Sequence, residues 1–303
     1  MSNFKLIILL GPTAVGKTEL AIKLASRLRC EIISADSRQI YREMSIGTAK
    51  PSLVEQNGIK HHLLDFTSIQ EYYSAGKYER DVIELIDSLS ITQHKALMVG
   101  GSGLYIQAVC HGIDDMPDPD PDLREHLENR LKEEGLSSLI DDLRNMDPES
   151  WATLDLKNPK RVIRALEVIY QTSEKYSSIK KGEVKSRSFD YIKIGLEMGR
   201  ELLYQRINQR ADQMLEAGLL NEAQRLFPFR HLTALQTVGY QEIFGYLEGN
   251  YNLEEAIRLF KRNSRRYAKK QIAWFKRDPE IHWSSPQALD HIQERIENFL
   301  ISQ

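Results

Sequence analysis

The chain has 303 residues, 41% of them hydrophobic and 28% charged, and a formal net charge of −2. That composition supplies a buried core and excludes a disordered chain. The charge balance excludes a polycation, so any nucleic-acid surface has to be a local patch.

The opening stretch, MSNFKLIILLGP, holds an apolar run too short to span a membrane and shows no small-residue cleavage site. It reads as a buried first strand over 6–10, and the chain as a cytoplasmic enzyme. The strand runs into Gly11, Pro12, Thr13, Ala14, Val15, Gly16, Lys17 and Thr18, which fit the phosphate-loop template G-x-x-x-x-G-K-[ST]. Leu20, Leu24 and Leu28 give helical periodicity over 17–29. A second strand is expected over 31–35 with Asp36 at its carboxyl tip, and a short one from His61 to the end of HHLLDF. A helix is expected over 73–89, and a buried strand over 96–99 that runs into Gly100 and Gly101. Strands alternating with helices predict a parallel sheet covered on both faces, with ligands at the carboxyl ends of its strands. Gly11, Asp36 and Gly101 fall at that edge.

Pro117, Pro119 and Pro121 break the alternation. Helical runs follow over 123–134, 136–145 and 159–171, then a polar loop, SEKYSSIKKGEVKSRS, before a strand returns at 191–198. Further helices are expected over 201–217, 219–226, near 239–247, and from 253 to about 277. The fold class is therefore α/β: a P-loop-type parallel sheet core with flanking helices in 1–117 and 189–303, and a helical insertion domain in 118–188. Cys30 and Cys110 have neither metal spacing nor a disulfide framework and read as small buried residues.

The glycines of the loop allow a nest of backbone N–H groups around an anion, and the helix behind it adds its positive end. Lys17 adds a point charge, and the Thr18 hydroxyl is a ligand for Mg²⁺. The loop does not say whose phosphates it holds. A Walker-type ATPase needs an acid at another strand tip, but the strand over 96–99 ends VGGSG without one. Asp36 and Asp65 are the strand-end carboxylates available. Asp65 reads as a turn cap. Asp36 reads as a magnesium support, a general base or a structural cap.

GPTAVGKT, ISADSRQIYREMSIGTAKP, HHLLDF, VGGSGLYIQAV, NPKRVIRALEV, RADQMLEAGLLNEA, TVGYQEI and RRYAKKQIAWFKRD occur in this order. Together they resemble the bacterial tRNA dimethylallyltransferases (tRNA isopentenyltransferases), from residue 5 to about 278. The resemblance implies that the loop holds the diphosphate of dimethylallyl diphosphate rather than ATP. It implies transfer of the prenyl group to N6 of adenosine 37, beside the anticodon, with diphosphate released and Mg²⁺ as cofactor at Thr18. It makes Asp36 the base, and Lys17 and Ser102 its companions in catalysis. Ser102 stands where the family usually has threonine, so the hydroxyl is kept and a methyl dropped. Arg210 is implied in the diphosphate clamp together with residues 11–18.

On the RNA side, 261–277 holds eight basic residues and no acidic one. Such a run repels itself unless an anion is bound. Tyr267, Ile272, Trp274 and Phe275 are expected to supply its apolar packing. The resemblance implies contacts to the anticodon stem-loop from Asp36, Ser37, Arg38, Gln39, Ser102, Arg124, Lys160, Arg161, Val162, Ile163, Arg164, Gln236, Gly239, Tyr240 and Gln241. Gln39, Tyr41 and Gln241 are expected to read bases, since unstacked RNA is read by stacking and base-edge contacts. A monomer is expected, without the zinc finger that eukaryotic members often carry. Two rival readings remain on the residues alone: an adenylate isopentenyltransferase or P-loop nucleotide kinase acting on a free nucleotide, and a non-catalytic RNA-binding switch. The basic helix and the insertion argue against the first, and Asp36 in its polar setting against the second.

Overall fold

A computed structural model describes residues 4–302. Strands β1 (Phe4–Leu10), β2 (Ile32–Ala35), β3 (His61–His62), β4 (Lys95–Gly100), β5 (Phe189–Leu196) and β6 (Ile281–Ser284) form one sheet in the order β3-β2-β4-β1-β5-β6. All the pairings are parallel. The centre of the sheet is covered on both faces, which is why β1 tolerates apolar residues at nearly every position. Its one charge, Lys5, is buried but donates to Asp190 and to Ser302 O, each at 2.9 Å. Leu10 lies opposite Gly100 on one side and Gly195 on the other, and Ala35 also lies opposite Gly100. The chain therefore leaves β1, β2 and β4 at one level on one edge.

The helices are α1 (Lys17–Leu28), α2 (Leu53–Gln56), α3 (Ala75–Leu89), α4 (Gly103–His111), α5 (Pro121–Glu133), α6 (Leu136–Met146), α7 (Pro148–Thr153), α8 (Pro159–Thr172), α9 (Tyr176–Ile179), α10 (Arg200–Glu216), α11 (Leu219–Leu226), α12 (Tyr240–Leu247), α13 (Leu253–Phe275) and α14 (Leu289–Ile301). The chain separates into two units: residues up to 110 with those from 186 onward, and 111–185. These edges differ from the 117/118 and 188/189 expected from the sequence. In the first unit, Leu20, Leu24 and Leu28 of α1 pack in one cluster with Ile7, Leu9, Leu203, Ile207 and Ala268. Ile292 and Ile296 join the same cluster, so the last helix closes the core around the phosphate-loop helix.

The second unit is helical, with Leu127, Leu139, Leu143, Val162 and Leu166 at its centre. The polar segment after α8, expected to be loop, contains α9. Buried Asp147 accepts from Ser177 N and Ser177 Oγ, each at 2.8 Å, and also from Ser150 N. One carboxylate thus caps α7 and ties the next segment down. The strand expected through Asp65 stops at His62. Asp65 adopts φ 60° and its carboxylate pairs with Lys50; among the described residues no backbone N–H is found to donate to it, so a turn cap is not seen there. Cys30 and Cys110 are buried free thiols, and burial pushes them up to about 11 and about 12.

Candidate active site

The phosphate loop folds as its glycines require. Gly16 has φ 108°, a left-handed conformation open to glycine at little cost, and it starts α1 without a side-chain cap. The first N–H groups of that helix are left for an anion. Lys17 Nζ donates to Gly11 O and Pro12 O, both at 2.8 Å. Burial, then the Arg210 charge, lower its pKa to about 7, against the opposing pull of Asp36. Burial also lowers Arg210, while Asp36 raises it. The loop, Asp36 and Arg210 thus share one electrostatic site, lining a cavity of about 930 Å³ with Thr18, Arg38, Gln39 and Tyr267.

Asp36 sits at the tip of β2. Its Oδ1 accepts from Arg38 N at 2.9 Å and Gln39 N at 3.3 Å. The capping reading thus describes one oxygen. Among the described residues no hydrogen bond is found to Oδ2, which leaves that oxygen for chemistry. Ser102 Oγ accepts from Ser37 N at 2.8 Å, so the β4–α4 turn braces the Asp36 turn. Arg38 Nη1 donates to Thr233 O at 3.2 Å and Ala234 O at 3.1 Å, and the Gln39 amide donates to Thr48 O and Ala49 O, both at 3.1 Å.

Several residues expected to touch RNA do not present their side chains. Tyr41 and Tyr240 are buried, and so are Val162 and Ile163 in the core of the second unit. Gly239 N is buried and donates to Glu242 Oε2 at 2.7 Å. A motif fixes which residues occur together, not which way each one faces. Arg124 and Arg164 both pair with Glu167, a fully buried carboxylate, and are anchored rather than free; Lys160 and Arg161 are exposed. Gln236 and Gln241 are exposed and joined by an amide–amide hydrogen bond of 2.7 Å. On α13, Phe275 is buried as expected and Ile272 packs against the core, but Tyr267 and Trp274 are 42% and 40% exposed. Buried Ala268 and Gln271 take the inward positions instead.

Two further residues belong to the site. Arg206 Nε donates to Ala14 O at 2.9 Å and lines the cavity. It lies one helical turn before Arg210, a spacing that placed it on the same face. Gln271 Oε1 accepts from Thr13 N at 2.9 Å, and its Nε2 donates to Gly101 O at 2.9 Å. Nothing in the sequence singled it out from the basic run around it.

The profile of the IPP transferase family matches residues 39–278. A tRNA dimethylallyltransferase of Cytophaga hutchinsonii is 48% identical, over 97% of each chain. The tRNA dimethylallyltransferase 1 of Bacteroides thetaiotaomicron is 46% identical, over 97% of this chain and 96% of its own. The crystal structure of the tRNA isopentenylpyrophosphate transferase of Bacillus halodurans superposes with a TM-score of 0.72 at 39% identity, covering 98% of this chain and 96% of that one. A eukaryotic dimethylallyltransferase acting on tRNA gives a TM-score of 0.79 at 26% identity, over 99% of this chain and 78% of that one.

Proposed function

The chain belongs to the IPP transferase family, and from that membership we propose that it is a tRNA dimethylallyltransferase. It transfers the dimethylallyl group of dimethylallyl diphosphate to N6 of adenosine 37, beside the anticodon, and releases diphosphate. The observation that carries this reading is the single cavity in which the phosphate loop and Asp36 face the same space.

The loop N–H groups, Lys17, Arg206 and Arg210 hold the donor's diphosphate. Its leaving oxygen gains charge as the C–O bond breaks, and fixed donors aimed at that charge lower the barrier. N6 of adenine is a weak nucleophile because its lone pair is delocalised into the ring. The N6–C bond forms as Asp36 Oδ2 accepts the N6 proton, a contribution of about 10²–10⁴-fold in rate. Oδ1 keeps the carboxylate oriented through its two backbone bonds. Thr18 is exposed and lines the cavity with Lys17 and Asp36. The Thr18 hydroxyl oxygen suits Mg²⁺: Thr18 would hold it, and the ion would neutralise charge on the diphosphate oxygens.

The acceptor base leaves its stack to enter the cavity, whose wall includes Arg38, Gln39 and Tyr267. Exposed Arg266, Lys269 and Lys270 of α13, and Lys160 and Arg161 of the second unit, meet the phosphates of the anticodon arm. Among the described residues no helix is long and apolar enough to cross a membrane; the reading puts a monomer to work in the cytoplasm. The test is incubation with bulk tRNA, Mg²⁺ and dimethylallyl diphosphate, followed by nucleoside analysis. Appearance of N6-dimethylallyladenosine is expected. Modification of free AMP or ADP in preference to tRNA would overturn the assignment of the acceptor.

A further inference from the structure

We propose that Gln271 is a positioning residue that holds the phosphate loop in register with the Asp36 turn; the inference rests on the prenyl-transfer reading. Gln271 is 8% exposed and uses both ends of its amide. Oε1 takes the Thr13 N–H of the loop after β1, and Nε2 gives to Gly101 O in the turn after β4. These strands are neighbours, but their ladder stops at the Leu10–Gly100 pair. Among the described residues no backbone hydrogen bond joins 11–16 to 101–103. The amide of Gln271 is therefore the link between the two turns beyond the end of the sheet.

The link continues. Ser102 follows Gly101, and its Oγ accepts from Ser37 N, the residue after Asp36. A connected path thus runs from the loop that holds the donor to the carboxylate that takes the proton. Gly101 is part of the device: a Cβ there would lie 2.4 Å from Gln271 Nε2 and 3.4 Å from Gly11 O. Any side chain would push the amide out of the bridge. In-line displacement needs the attacking nitrogen, the carbon and the leaving oxygen held in one geometry, and about 1 Å of misplacement costs on the order of 10²-fold. The donor and the base stand on different strands, so the part that fixes their separation acts on kcat rather than on either binding step.

Gln271→Met keeps the length and removes both hydrogen bonds, whereas Gln271→Asn keeps the amide but is one methylene short. Both are expected to lower kcat by about 10–100-fold, leave KM for tRNA and for dimethylallyl diphosphate within about threefold, and lower the thermal midpoint by no more than a few degrees, the cost of the lost hydrogen bonds. Gly101→Ala, which displaces the amide without removing it, is expected to do the same and decides the matter if Gln271→Met does not fold. Unchanged kcat in the three variants, or a loss of both KM values and the midpoint in parallel, would overturn the proposal. Exchange of the Thr13 amide proton, expected to quicken in Gln271→Met, is read without turnover. A wild-type protein that fails to prenylate tRNA therefore sinks the functional reading alone, and unaltered exchange sinks the bridge alone.

Discussion

The phenol of Tyr240 donates to Glu222 Oε1 at 2.6 Å, and both side chains are shut off from solvent. The same carboxylate accepts from Ser45 N, Ile46 N and Gly47 N at 2.9–3.1 Å. Four donors from α12 and from the loop after β2 meet one buried charge on α11. Gly47 is required there, since a Cβ would lie 2.5 Å from the Tyr240 ring. Burial first, and then the Glu222 carboxylate, hold the phenol well above its usual range. This lock sets the segment that lines the cavity with Gly47 and Thr48 and holds the Gln39 amide.

Glu222→Ala should therefore cost stability on the scale of a broken buried network, about 3 kcal/mol, because it strands three backbone donors and a phenol. Tyr240→Phe removes one donor and leaves the carboxylate three partners, so it should cost about 1 kcal/mol. Urea midpoints at constant m-value measure both. Equal losses would show that the phenol hydroxyl, not the three backbone donors, carries the carboxylate's contribution.

Lys17 should make diphosphate binding depend on pH. With its pKa lowered to about 7 by burial and Arg210, the free protein carries the cation below that pH and loses it above. Binding a polyanion favours the protonated form, so above about pH 7 binding must take up a proton. Affinity for inorganic diphosphate should then weaken by up to about tenfold per pH unit relative to Lys17→Met, whose curve reports only the ligand's own titration. A wild-type-to-variant ratio that stays flat through that range would rule it out. Folding runs the opposite way: between the folded value of about 7 and the unfolded 10.5 the unfolded chain binds the extra proton, so this group's contribution to stability rises with pH.

The parts of the site legible in the sequence are local ones. The strand, the glycines and the leucine period around Gly11–Thr18 specify their own geometry, and Asp36 follows from its place after a strand. Orientation was not legible in helices and turns where apolar and polar residues mix. Tyr41 and Tyr240 turn inward, while Tyr267 and Trp274 turn outward from a helix whose inner face is made by Ala256, Phe260, Ala268, Gln271 and Phe275. The short elements α2, α7 and β6 carry too few residues to show a period. Gln271 was invisible for a different reason: its partners, Thr13 and Gly101, lie 258 and 170 residues away.

Asp36→Asn should separate support from chemistry. The amide oxygen of asparagine accepts from Arg38 N and Gln39 N as Oδ1 does now, so the turn should keep its shape. The proton acceptor at Oδ2 is lost. Turnover should fall by about 10²–10⁴-fold while tRNA and diphosphate still bind. Single-turnover kinetics at saturating substrates checks this, and a near wild-type rate would remove Asp36 from the role of base.

The basic residues of α13 and Lys276 just after it fall into two groups. Lys261 pairs with Asp212 at 2.6 Å, Arg265 donates to Asn208 at 2.6 Å, and Lys276 pairs with Glu197 at 2.7 Å. Arg266, Lys269 and Lys270 are exposed, and among the described residues no hydrogen bond or ion pair is found to them. With a net charge of −2 the molecule as a whole does not attract RNA, so any attraction comes from groups such as these. Each phosphate contact that is lost removes somewhat under about one unit from the log–log salt slope. Replacing the three together with alanine should therefore flatten the tRNA slope by about two units and weaken binding most at low salt. Affinity for dimethylallyl diphosphate should stay unchanged, because the site proposed for it is built from the loop and α10. The Lys261, Arg265 and Lys276 charges are partly spent on their partners, so neutralising those three should flatten the slope less and cost more stability. Binding across a salt series, with the thermal midpoint of each triple variant alongside, tests both. Equal slopes for the two triples would mean that the ion pairs open on RNA binding and that exposure in the free protein does not select the contacts.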